Sequence, residues 1–109
     1  MEHIRSLIKS IEMRPQLYIG EKSIKLLKAF LDGYIHAYYL NGETCGFLMI
    51  GFQEYIADFY NDRRTLSWCE LITEHSPPAD EPLDVFFKHF HDYCAMTLPL
   101  DRNDLSGEV

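Results

Sequence analysis

The feature that most restricts this chain is a spacing. Apolar side chains return every three or four residues along most of its length, and two-residue alternation is rare. That period puts them on one stripe of a helix and cannot line one face of a strand. Ile4, Leu7, Ile8 and Ile11 predict a helix over 2–13, with Arg5 and Lys9 on its wet side. Pro15 stops it, because the residue before a proline is pushed out of the α region. Arg14 then stands at the negative end of the helix dipole. Ile24, Leu27, Leu31, Tyr34, Ile35 and Tyr38 predict a second helix over 22–40, with Lys22, Lys25 and Lys28 off the stripe. Gly33 inside it costs up to about 1 kcal/mol relative to alanine, so it is read as the mark of a close helix crossing. Asn41-Gly42 ends that helix.

Residues 47–60, FLMIGFQEYIADFY, are read as a third helix over 48–60. Asn61-Asp62-Arg63-Arg64 is a polar loop. Ser67 followed by Glu70 is a capping box that opens a fourth helix through Ile72 to about residue 74. His75-Ser76-Pro77-Pro78 breaks it. Asp80-Glu81-Pro82 opens a fifth, with acids in its first turn and proline near its first position. Leu83, Phe86, Phe87, Phe90 and Cys94 make its stripe, and Pro99 ends it. The expected fold is all-α: one domain over 1–99 built from about five amphipathic helices, with a loose polar tail over 100–109. The competing reading is α+β, with a short strand near 45–50.

Composition narrows the function. The 109 residues suit one domain, and 47% hydrophobic content supports a real core without staples. Seventeen acidic side chains against ten basic ones give a net charge of -7. That balance argues against nucleic acid or an anionic membrane as main partner. The charge is uneven: residues 1–42 balance at +2 and residues 43–109 at -9. A basic partner meeting the second half is therefore the first to consider. Cys45, Cys69 and Cys94 lack metal-knuckle spacing and read as buried reduced thiols. Glu2 and His3 lead into an amphipathic helix and not an apolar run, and no run is long enough to span a bilayer. A cytoplasmic protein is expected.

RP-x-x-YIG, residues 14–20, resembles a phrase of gyrase-type ATPases. That resemblance stops there: the next helix, IKLLKAFLDGYIHAYYL, offers neither the glutamate nor the asparagine such a site needs, and no glycine-rich lid follows. The corner reading uses the same residues. Pro15 terminates one helix, Tyr18 and Ile19 plug the corner, and Gly20 takes a backbone angle other residues resist. A longer phrase, RP-x-x-YIG-x-KSI-x-x-L-x-AFLDGY over 14–34, resembles immunity proteins of contact-dependent growth inhibition and related polymorphic toxin systems. FQEYIADFY (52–60), LSW-x-ELI (66–72) and LDVFFKHFHDY (83–93) are similar to the same layout. Gln16-Leu17 departs from it, where glycine-methionine is expected. The resemblance implies a stoichiometric inhibitor of a cognate toxin domain, often a nuclease, and no catalytic residues.

His89 and His91 lie about 200° apart on a helix and cannot share a metal. His3, His36 and His75 have no metal spacing, so surface or capping histidines are expected. No cofactor is implied. The acids carry the functional reading. Glu54, Asp58 and Asp62 are spaced i, i+4, i+8; Glu70 and Glu74 repeat that spacing; Asp80, Glu81 and Asp84 open the last helix. Like charges at i, i+4 destabilise a helix by roughly 0.2–0.5 kcal/mol, a penalty that folding does not require. An acidic face would oppose the basic substrate groove of a nuclease-like toxin, speeding encounter and blocking phosphate access. Tyr55, Tyr60 and Trp68, exposed beside it, would anchor the contact. The expectation is a binding protein and not an enzyme. The alternative is a small-molecule regulatory module with an aromatic groove between the second and third helices.

Overall fold

The computed structural model describes residues 2–40 and 46–97. Asn41-Gly42, Cys45, Pro99 and the tail lie outside them. Among the described residues six helices follow one another: α1 (Glu2–Met13), α2 (Pro15–Ile19), α3 (Ile24–Leu40), α4 (Gly46–Tyr60), α5 (Trp68–His75) and α6 (Pro82–Thr97). There is no strand among the described residues, and 46–50 are helical. The fold is all-α.

The sixth helix is the corner itself. Arg14 is out of the α region, as proline favours in the residue before it, and Pro15 then occupies the first helical position of α2. A missing N–H costs nothing there. Gly20 closes this short turn at φ 87°, with its N–H donating to the Gln16 carbonyl at 3.2 Å. A side chain at that angle would be strained. Ile19 packs against the core as expected, but Tyr18 is exposed and plugs nothing. Ser23 starts α3, its Oγ accepting from the Leu26 N–H at 3.3 Å.

The apolar stripes meet as their spacing requires. Ile4, Ile8 and Ile11 of α1, Leu27 and Leu31 of α3, Leu71 and Ile72 of α5 and Leu83 of α6 are all buried. The aromatic half of the core is centred on Phe52 of α4. Its ring lies 5.4 Å from Phe86, 5.5 Å from Tyr93, 5.6 Å from Trp68 and 5.7 Å from Phe90, each edge to face. These contacts join α4 to α5 and α6 at one point. Cys69 and Cys94 are buried, and burial pushes the Cys69 thiol above its ordinary pKa.

Two glycines behave oppositely. Gly33 was expected at a close helix crossing, yet a Cβ there would meet nothing within 4 Å. The close approach is at Gly51, where a Cβ would sit 2.3 Å from Tyr93 Oη. Tyr93 is packed among Phe52, Tyr55 and Phe90 and cannot readily yield. Gly33→Ala is therefore expected to stabilise the fold by about 0.5–1 kcal/mol. Gly51→Ala is expected to destabilise it by roughly 1–3 kcal/mol through overpacking, and by clearly less in a Tyr93→Phe background. Urea denaturation of the four variants checks both; equal behaviour of the two glycines would refute the assignment.

Candidate interaction surface

The surface is organised by the turn that ends α4. Asn61 takes φ 52°, a left-handed angle that asparagine tolerates. The Asp62 N–H donates back to the Ala57 carbonyl at 3.0 Å and the Asn61 N–H to Asp58 at 3.1 Å. Two orphan carbonyls of the helix end are thereby satisfied. Residues 62–66 then run to α5, guided by Gln53 of α4. Its amide donates to the Leu66 carbonyl at 3.0 Å and accepts from the Trp68 N–H at 2.6 Å. The capping box forms as expected: Ser67 Oγ accepts from the Glu70 N–H at 3.2 Å, and Glu70 Oε1 from the Ser67 N–H at 3.0 Å. These bonds hold the Glu70 carboxyl below its ordinary pKa.

Arg63 and Arg64 leave this loop in the direction of the acids. Arg63 Nη1 donates to Glu54 Oε1 at 3.1 Å, and its Nη2 pairs with Asp58. Arg64 grips Asp62 with Nε at 2.9 Å and Nη2 at 2.6 Å, and also pairs with Glu74. Asp62 further accepts from the Arg64 N–H at 3.2 Å and from His75 Nε2 at 2.9 Å. The Arg64 bonds, then that of His75, hold the Asp62 carboxyl far below the usual carboxylate range. With its side chain only 10% exposed, Asp62 is the knot that ties the loop to α5.

The predicted residues therefore divide. Glu54 and Asp58 share the outer face of α4 with exposed Ile50, joined by Arg63. Asp62 is not on that line, because the helix ends before it. Glu74 meets it through Arg64, and Glu70 is taken up by the cap one turn earlier. Asp80 and Glu81 are exposed ahead of α6 and have no ion pair among the described residues. Asp84 is drawn to the opposite side by Lys22 at 3.2 Å. Tyr55 and Tyr60 are half-buried. Trp68 is the correction: it is 5% exposed, packed on Phe52 and Phe86, and cannot anchor a partner. Beside Tyr55 and Tyr60 the exposed ring is that of Phe59, 57% open, 6.3 Å from Tyr55 and 5.0 Å from Tyr60. Burial raises the pKa of both tyrosines, with Asp92 adding to the effect at Tyr55. Tyr60 stacks on His75 at 4.4 Å and its Oη lies 2.7 Å from His89 Nε2.

His89 is buried, whereas His91 is exposed and donates to Glu12 at 2.7 Å. The described residues hold no group of three His, Cys, Asp or Glu placed for a metal ion, and no helix long and apolar enough to cross a membrane. A cleft of about 520 Å³ opens between the α1–α2 corner and α6. Its walls carry Glu12, Gln16, Lys22, Asp84, Lys88 and His91 over Phe87 and Pro15. Two cross-wall contacts, the Glu12–His91 hydrogen bond and the Lys22–Asp84 ion pair, already take up most of its polar groups. Compared with family models, curated proteins and solved structures, the chain matches none of them.

The knot has a pH signature. Because folding depresses the Asp62 pKa, its contribution is present above the ordinary value of about 3.8 and is lost as pH falls below it. Asp62→Asn should be the less stable protein at pH 7, with the gap to wild type closing below about pH 4. Urea midpoints from pH 7 to 2.5 test this; a gap of constant size would mean Asp62 is not held by charge.

Proposed function

We propose that this chain is a toxin-neutralising immunity protein, a binding protein that docks the basic surface of a cognate toxin domain, nuclease-like in charge, on the outer face of α4 and α5. One observation carries the reading: a net negative face sits directly beside apolar side chains left in water. Glu54, Asp58, Asp62 and Glu74, set against Arg63 and Arg64, leave this part of the face two charges negative, while Glu70 has Lys25 and Lys28 nearby. Ile50 is 62% exposed and Phe59 57%, and Phe59 continues into the half-buried rings of Tyr55 and Tyr60. Acids with an aromatic cluster at their edge have the composition of a docking epitope: charge steers the encounter, and desolvated rings supply the residence time. The resemblance of residues 14–34 to immunity proteins points to the same class of partner.

The two arginines fit this role. They hold four carboxylates in fixed positions, so little side-chain freedom is lost when a partner arrives. Exposed pairs of this kind are weak and can open to let a partner's cation in. A toxin whose lysines and arginines are taken up this way has fewer left for phosphate groups.

The test is binding to the toxin domain encoded by the neighbouring gene. Glu54→Lys with Asp58→Lys should weaken it at least 100-fold and flatten its dependence on salt. Phe59→Ala should weaken it by roughly 30-fold, the scale of a 2 kcal/mol hot spot, with little change in salt slope. Unchanged affinity in variants that melt like wild type would exclude this face.

A further inference from the structure

We propose that His89 is a proton-operated latch for the aromatic end of this face: neutral, it holds Tyr60 and Phe59 in place; protonated, it releases them. The ring of His89 is 6% exposed. Nε2 is 2.7 Å from Tyr60 Oη, and Phe59 stands nearly perpendicular to the ring at 4.5 Å. Nδ1 is buried with no hydrogen-bond partner. In the neutral ring, Nε2–H donates to Tyr60 Oη, and Nδ1 is a bare lone pair, which is less costly to bury than an N–H. A second proton changes that. Both nitrogens then carry hydrogen, Nδ1–H has no acceptor, and a positive charge lies in an apolar site.

The neighbouring groups do not rescue it. On α6, Asp92 favours the charge and Lys88 opposes it. From α4 come only the phenol of Tyr60 and the ring of Phe59. From α5, His75 stacks on Tyr60, and its Nε2 is already committed to Asp62. Burial outweighs both charges and keeps the His89 pKa below its ordinary 6.5. The opened form therefore binds the proton more readily. Below about pH 6.5 the opening equilibrium shifts toward release, by up to about tenfold per pH unit until His89 itself titrates in the closed form.

The latch rests on the docking reading only for its consequence, so it is tested first on the full chain alone. Near-UV circular dichroism and dye binding to exposed apolar surface are followed from pH 8 to 5. Wild type should lose aromatic ellipticity and gain dye below pH 6.5 while its helix signal stays. His91→Gln should follow wild type. His89→Phe, which keeps the ring volume, and His89→Gln, which keeps a polar hand for Tyr60, should both stay flat. A flat wild-type profile, or a transition that survives in either folded His89 variant, overturns the latch. Next, the neighbouring-gene toxin domain is captured on immobilised chain at pH 7.5 and washed at pH 5.5. Release from wild type but not from His89→Phe supports the proposal, and equal behaviour of the two overturns it as a control on docking. No capture at pH 7.5 counts against the docking reading, while the result for the chain alone still decides the latch.

Discussion

Everything on the functional side of this molecule hangs from the ring of Phe52. It is fully buried on α4 and meets α5 through Trp68 and α6 through Phe86, Phe90 and Tyr93. Three helices are thus fixed to one another by edge-to-face contacts with defined geometry, not by interchangeable aliphatic packing. The other side of α4 inherits that rigidity. With Phe52 inward, Glu54 and Asp58 must point away from the junction, Tyr55 and Tyr60 lie along its rim, and Phe59, two turns on along the same stripe, reaches water past the end of the packed core. The position of the acids is a consequence of where the aromatics are buried.

Electrostatics then settles a conflict that the sequence sets up. A row of like charges on α4 and another on α5 would each oppose helix formation. The loop between those helices brings Arg63 to one row and Arg64 to both Asp62 and Glu74. Repulsion is relieved locally, and the face remains negative because the arginines are outnumbered. Since these pairs are exposed, their value lies more in orientation than in stability. Asp62 is the exception. Nearly buried and bonded by Arg64 and His75, it does structural work, and this separates it from Glu54 and Asp58, which are free to serve a partner.

Much of the fold was legible because helical period and helix punctuation are local properties. The isoleucines of α1, the Ser67–Glu70 box and Pro82 at the start of α6 all act within one or two turns. What escaped depends on contacts distant in sequence. Gly33 and Gly51 look alike along the chain, and only Tyr93, brought across from α6, makes one of them indispensable. Trp68 sits at a helix start where exposure is reasonable, yet the Phe52 junction draws it inward. Pro15 reads equally as a stop and as the first residue of a new turn, and its missing N–H fits both. The arginines that pair the acids stood in plain view at 63 and 64, but a loop's direction is not written in its own residues. His89 was the most recoverable omission. It falls three residues after Phe86 on the buried stripe of α6, and the period alone places it inward.

That placement carries a penalty the rest of the core avoids. A phenylalanine at 89 would fill the same volume, pack edge-on to Phe59 and leave no orphaned nitrogen. What histidine adds is a single bond to Tyr60 Oη, and with it control over which way that phenol points. Tyr60 is the residue through which α4, α5 and α6 communicate: it follows Phe59, stacks on His75 and bonds His89. One hydrogen bond at that junction therefore orients the aromatic edge of the acidic face. An interior polar group of this kind contributes less to stability than to the choice of a single arrangement, and on this molecule the arrangement it selects is the one a partner would meet.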